Sequence, residues 1–87
     1  MIEKVRIDRR WLPLNALRAF EGVARYGSFT GAASALNIAQ SALSRHVISL
    51  ENLIGVKLFE RRPHSLVLTA AGEHLLPVVS RSFYRLE

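Results

Sequence analysis

Gln40, Ser41, Ser44 and Arg45 place an amide, two hydroxyls and a guanidinium close together in a chain of 87 residues. If the segment is a helix, these positions share one face, because residues one turn apart project in the same direction. Such groups donate and accept hydrogen bonds at the edges of bases in a DNA major groove. They would equally suit the solvated face of an ordinary helical hairpin, and residue types alone leave both readings open.

The surrounding pattern says what would hold these groups in place. Ala33, Asn37, Ile38, Leu43 and Val47 are spaced as the skeleton of a helix-turn-helix. A small residue at 33 lets two helices cross closely, Asn37 tolerates the left-handed backbone of the turn, and Ile38, Leu43 and Val47 are expected to fill the wedge. The first of these helices is expected over Phe29–Leu36, with Ser28 as its N-cap and Phe29, Ala32, Ala33 and Leu36 on its buried face. The second is expected from Gln40 to Leu53 or Ile54, since Leu43, Val47, Leu50 and Ile54 recur at helical spacing and Gly55 follows. Its weak point is Ala39, an apolar residue at the cap position, which costs about 1 kcal/mol unless Asn37 caps from further back.

An amphipathic helix precedes this pair. After Pro13 the run LNALRAFEGVARYG carries Leu17, Phe20 and Ala24 on one stripe, with Ala16 and Val23 beside it, and ends at Gly27. Beyond Gly55 the period changes: Phe59 leads into ERRPHS and then LVLT, which predicts two short strands about a turn containing Pro63. Such a hairpin is a wing, with Arg61 and Arg62 at its turn able to reach phosphates or a narrow minor groove. A plain surface hairpin is the other reading. Thr69 is expected to cap a last helix from Ala70 towards Leu86, in which Pro77 removes one hydrogen bond. Leu75, Leu76, Val79, Phe83 and Leu86 form its apolar stripe, expected to pair with a second copy of the chain; the alternative is that the stripe closes the domain's own core.

Composition narrows the function classes. Twelve basic residues stand against seven acidic ones, a net charge of +5, and ten of the twelve are arginine. No acidic residue lies between Glu21 and Glu51, so the exposed helix would meet a polyanion without local repulsion. The absence of cysteine removes disulfides and thiolate metal sites, and the three histidines, His46, His64 and His74, share no ligand spacing. No metal and no cofactor is expected. An enzyme is disfavoured, because there is no grouping of Ser, His and Asp, no paired carboxylates and no phosphate-cradling glycine loop. Glu51 and Glu60 read as surface residues of the helix and the wing. Residues 1–12, MIEKVRIDRRWL, hold no apolar run of signal or membrane-spanning length, so a cytoplasmic protein without a membrane partner is expected. Arg9, Arg10 and Trp11 would form either a basic arm or a frayed end.

The segments GSFT, AA, LSRHV with LE, GVKLFER and LTAAG, in this order from Leu14 to Gly72, resemble the N-terminal DNA-binding domain of LysR-type transcriptional regulators over about two-thirds of the chain. The resemblance implies a mainly α winged helix-turn-helix: an N-terminal arm at 1–12, a domain at 13–69 with a three-helix core and a small β-hairpin wing, and a long C-terminal dimerisation linker helix at 70–87. It implies double-stranded DNA as partner and a homodimer on an inverted-repeat operator. A sensing domain for a small co-inducer is expected only in a longer parent chain. Carried over by position, Gln40, Ser41, Ala42 and Arg45 match the base contacts, Ser28, Thr30 and Ser44 the phosphate contacts, and Arg61 the wing arginine near the minor groove; Arg62 is the added backbone contact. This chain departs from the pattern at Ala39, at His64, where the wing often carries Arg, and at Gly31, which costs about 1 kcal/mol in a helix. A winged helix serving protein–protein contact through the last helix is the alternative function.

Overall fold

The computed structural model describes residues 13–85. The expected arm, with Arg9, Arg10 and Trp11, and Leu86 of the last helix lie outside the described residues. Helices α1 (Leu14–Tyr26), α2 (Phe29–Leu36) and α3 (Gln40–Ile54) are followed by strands β1 (Phe59–Arg62) and β2 (Ser65–Leu68) and by helix α4 (Ala70–Arg85). The strands pair antiparallel, with Phe59 opposite Leu68 and Arg62 opposite Ser65, so Pro63 and His64 form the turn. This is the mainly α winged helix-turn-helix that the sequence predicts.

Local chemistry explains the boundaries. Ser28 caps α2, its hydroxyl oxygen accepting from the Gly31 N–H at 2.9 Å. A Cβ at Gly31 would lie 2.9 Å from that oxygen, so the glycine expected to weaken the helix also makes room for its cap. Asn37 takes the left-handed conformation (φ 59°, ψ 49°), and the Ile38 N–H closes the turn on the Ala33 carbonyl at 3.1 Å. Ala39 precedes α3 in an extended conformation with no side-chain cap, and Asn37 does not supply one. At the last junction the Thr69 hydroxyl donates to the Lys57 carbonyl and accepts from the Gly72 N–H, at 2.7 and 3.1 Å. Gly72 sits so close to the chain before β1 that a Cβ there would stand 2.4 Å from the Leu58 oxygen.

Phe20, Val23, Leu43 and Leu58 are the largest fully buried side chains, from α1, α3 and the approach to β1. Burying each contributes about 1.5–3 kcal/mol. Phe59 joins the wing to this core, its ring centroid 5.5 Å from that of Phe20 and 6.0 Å from that of Phe29. Ile38, assigned to the wedge, Leu36, assigned to the buried face of α2, and Ile54, assigned to the stripe of α3, are instead exposed at 38%, 42% and 45%. Leu36 still lies against α1, where a Cβ at Gly22 would stand 2.8 Å from its Cδ1, and with Ile38 it lines an open groove beside Arg18 and His46. Leu43, Val47 and Leu50 fill the interior instead.

The stripe on α4 is divided between core and surface. Val79 is buried in the domain core, and Leu75, Leu76 and Phe83 pack partly against the same cluster. α4 lies against α1 and β2, so part of the stripe closes the domain's own core while Leu75, Leu76 and Phe83 stay half-buried. Phe83 further receives the Arg18 guanidinium at 5.7 Å from its ring centroid. The more exposed apolar residue of this helix is Val78.

Candidate nucleic-acid interface

The face of α3 opposite the core begins with Gln40 and Ser41 and continues through Ser44, Arg45 and Ile48. Its buried side is Leu43, Val47 and Leu50, so helical geometry turns the polar group outward. Gln40, Ser41 and Arg45 are exposed, and Ser44 is half-buried. Arg45 makes no hydrogen bond or ion pair among the described residues, which leaves its fork of donors open.

Between the start of α3 and the wing lies an open cleft of about 320 Å³, whose walls include Ser28, Thr30, Gln40, Arg61, Arg62 and His64. No carboxylate lines it. Five of the positions that the sequence assigns to DNA are thus brought to one concave surface, from α2, α3 and β1. Ser44 lines a neighbouring cleft with Arg61, Ile48 and Lys57. Ala42 instead lines a separate groove towards α1 with Arg18, Leu36, Ile38 and His46.

Arg61 is not at the hairpin's turn. The two-residue period of β1 places it on the same side as Phe59, and its guanidinium carbon lies 4.4 Å from the centroid of the Phe29 ring. The cation is thereby held beside the helix-turn-helix instead of waving from the wing tip. Arg62 points to the other side and meets Glu60 Oε1 at 3.2 Å. Both members of that pair are more than half exposed, so it contributes little and yields readily to a phosphate.

The hydroxyls differ in what they have left to give. Ser28 accepts a hydrogen bond as a cap, so its own O–H remains free to donate to a phosphate oxygen. The Thr30 hydroxyl instead donates to Gln40 Oε1 at 3.3 Å, linking the start of α2 to the start of α3.

Glu51 is the residue whose role the sequence concealed. Expected on the surface, it is buried, with Oε2 accepting from the Leu58 N–H at 2.8 Å and from the Phe59 N–H at 3.4 Å. Lys57 Nζ approaches its other oxygen at 3.9 Å. The carboxylate therefore ties β1 to α3 and fixes the wing against the helix that carries Gln40 and Arg45. Its partners are backbone amides beyond a turn, which no side-chain pattern announces. Among the described residues, no group of three or more His, Cys, Asp or Glu could hold a metal ion, and no helix is long and apolar enough to cross a membrane.

Comparison with known proteins adds an independent line. Residues 14–73 match the family profile described as bacterial regulatory helix-turn-helix protein, lysR family. The chain is 53% identical over 72 residues to the carbapenem-hydrolyzing beta-lactamase transcriptional activator of Serratia marcescens, covering 83% of this chain and 25% of that protein. It is 53% identical over 80 residues to the HTH-type transcriptional activator AmpR of Citrobacter freundii, covering 92% of this chain and 28% of the relative. The chain thus spans about a quarter of the length of these curated relatives. Among solved structures, the BenM DBD in its catB site 1 DNA complex superposes with a TM-score of 0.80 at 34% identity, over 84% of this chain and 82% of that one. The CbnR DBD in its DNA complex gives 0.76 at 31% identity, over 92% and 86%.

Proposed function

This chain belongs to the LysR family of bacterial regulatory helix-turn-helix proteins, and from that premise we propose that α3 is the recognition helix, entering the major groove of an operator while the wing approaches the adjacent minor groove. The chain is a LysR-type DNA-binding domain; what is proposed is how it binds and what it belongs to. Gln40, Ser41, Ala42 and Arg45 supply base contacts, with Ala42 at the margin because it turns towards α1. Ser28, Ser44 and Arg62 hold phosphates, and Arg61 serves the minor groove from its seat on Phe29. Two copies pair through the exposed and half-buried residues of α4, Val78, Leu75, Leu76 and Phe83, with Leu86 beyond. Val79 contributes from within the core, by stiffening the helix. Residues 13–69 form the reading unit and α4 the linker, packed on that unit instead of hanging free. The parent protein is longer, acts in the cytoplasm, and carries a sensing domain for a small co-inducer, a reading supported by relatives about four times the length of the matched region.

The observation that carries the proposal is the carboxylate-free cleft where Ser28, Gln40, Arg61 and Arg62 converge, at the start of the helix whose exposed face carries Arg45. Affinity comes largely from arginine–phosphate attraction and counterion release, which every sequence shares. Discrimination comes from base contacts, at about 1–3 kcal/mol for each good bidentate one. The test separates the two. Arg45→Ala should relax preference at one base pair of each half-site, whereas Arg62→Ala should weaken binding to all duplexes and lower the salt slope by about one. Equal losses on cognate and random duplex for both variants would remove the readout assignment.

A further inference from the structure

Resting on the DNA-reading assignment above, we propose that Thr30 is a positioning residue for Gln40, which turns the amide so that the recognition helix meets a base edge with a hydrogen-bond donor. Thr30 lies at the start of α2, ten residues before Gln40, and its hydroxyl donates to Gln40 Oε1 at 3.3 Å. Both side chains are exposed on one wall of the cleft, so the bond bridges the two helices at the surface that faces the ligand.

Two facts of bonding follow. A threonine hydroxyl has one proton, and once it is given to Gln40 only lone pairs remain; a phosphate oxygen also offers only lone pairs. Thr30 in this arrangement has no proton left for the phosphate oxygen that the family pattern gives it, in contrast to Ser28, whose proton is unused. The glutamine amide, in turn, is planar, with oxygen and nitrogen on opposite sides of its axis. Holding Oε1 back against α2 turns the Nε2 group and its two N–H donors away from α2. A free glutamine pairs with adenine through both atoms, accepting from N6 and donating to N7. With Oε1 turned back towards α2, its second lone pair no longer stands beside Nε2 at one base edge, so that two-point pairing is disfavoured, and an edge presenting acceptors alone, guanine O6 and N7 or thymine O4, is favoured. The residue that selects the base would then lie on α2, outside the recognition helix.

The experiment uses a duplex that the wild-type chain selects from a random library, together with its single-base-pair variants, all at one salt concentration. Wild type should favour guanine or thymine at one position of each half-site. Thr30→Val should reduce that preference by about 5- to 10-fold and shift it towards adenine, an order-of-magnitude figure for one base contact. Its affinity for random duplex and its salt slope should stay within about two-fold of wild type, since no phosphate contact is lost. Thr30→Ser, which keeps the hydroxyl, should restore the wild-type preference. Introduced into Gln40→Ala, Thr30→Val should change no base preference at all. The proposal is overturned if Thr30→Val weakens every duplex equally and lowers the salt slope by about one, the behaviour of a phosphate ligand. It is also overturned if the same shift in preference persists without Gln40. A wild-type chain that enriches no sequence removes the DNA-reading premise, and this inference with it; enrichment with an unaffected Thr30→Val removes this inference alone.

Discussion

Glu51→Ala tests how the wing is held to the recognition helix. The substitution strips the acceptor from the Leu58 N–H, a 2.8 Å bond to a carboxylate at a position where Leu58 itself is fully buried. Hydrogen bonds to charged groups contribute about 1.5–3 kcal/mol, and the substitution leaves the Leu58 amide without its acceptor. The 3.4 Å contact to the Phe59 N–H lies beyond good geometry and adds little. The Lys57 approach at 3.9 Å involves a side chain 78% exposed and adds less than about 1 kcal/mol. A loss of about 2–3 kcal/mol is expected, a large part of the roughly 4–13 kcal/mol that a chain of this length has in total. Urea denaturation followed by far-ultraviolet circular dichroism measures it, and Tm should fall by about 10–20 °C. Glu51→Gln keeps a carbonyl acceptor without the charge and should lose only about 1 kcal/mol. Hydrogen exchange at the Leu58 amide should accelerate in the same order, Ala above Gln above wild type. If Glu51→Ala unfolds within about 0.5 kcal/mol of wild type, the scatter of an ordinary surface substitution, the carboxylate does not anchor the wing.

Other substitutions test separate links. Ala39→Ser places a hydroxyl at the extended, uncapped residue before α3 and should stabilise the domain by about 0.5–1.5 kcal/mol, read from the urea midpoint; no gain would mean that the first turn is satisfied otherwise. Gly72→Ala should destabilise by about 1–3 kcal/mol, because the new Cβ meets the Leu58 carbonyl oxygen, part of the backbone, at 2.4 Å. Arg61→Lys keeps the charge but weakens the seat over Phe29, so it should lower affinity for the selected duplex more than for random duplex in fluorescence anisotropy titrations; equal losses would indicate that charge alone matters. Val78→Asp should shift the chain towards monomer in sedimentation equilibrium while leaving the urea midpoint within about 0.5 kcal/mol, since this side chain is more than half exposed.

Much of the architecture is legible in the sequence for identifiable reasons. The stripes of α1 and α3 follow from period alone, the turn from an asparagine that tolerates positive φ, and the hairpin from an apolar run on the far side of Pro63. What stays hidden depends on neighbours distant along the chain. Arg61 faces Phe29 because of strand register, and the apolar spacing on α4 reveals a face without saying how much of it α1 and β2 cover. Glu51 reads as a surface carboxylate because its partners are backbone amides, and backbone amides leave no mark in a sequence. The Thr30–Gln40 bond arises only when the turn at Asn37 brings the starts of two helices together. The site residues are accordingly legible as chemical types, and their division of labour is not.

Selection of bound duplexes from a random library by the wild-type chain at physiological salt tests the central claim most directly. Recognition helices paired by a two-fold axis should enrich an inverted repeat, with half-site centres separated by one helical turn of about 10 base pairs or a multiple of it. The enriched duplex should bind at least about 10³-fold more tightly than random sequence. A library that stays random through successive rounds, with all duplexes bound alike, would contradict the assignment of α3 as a reader of DNA sequence.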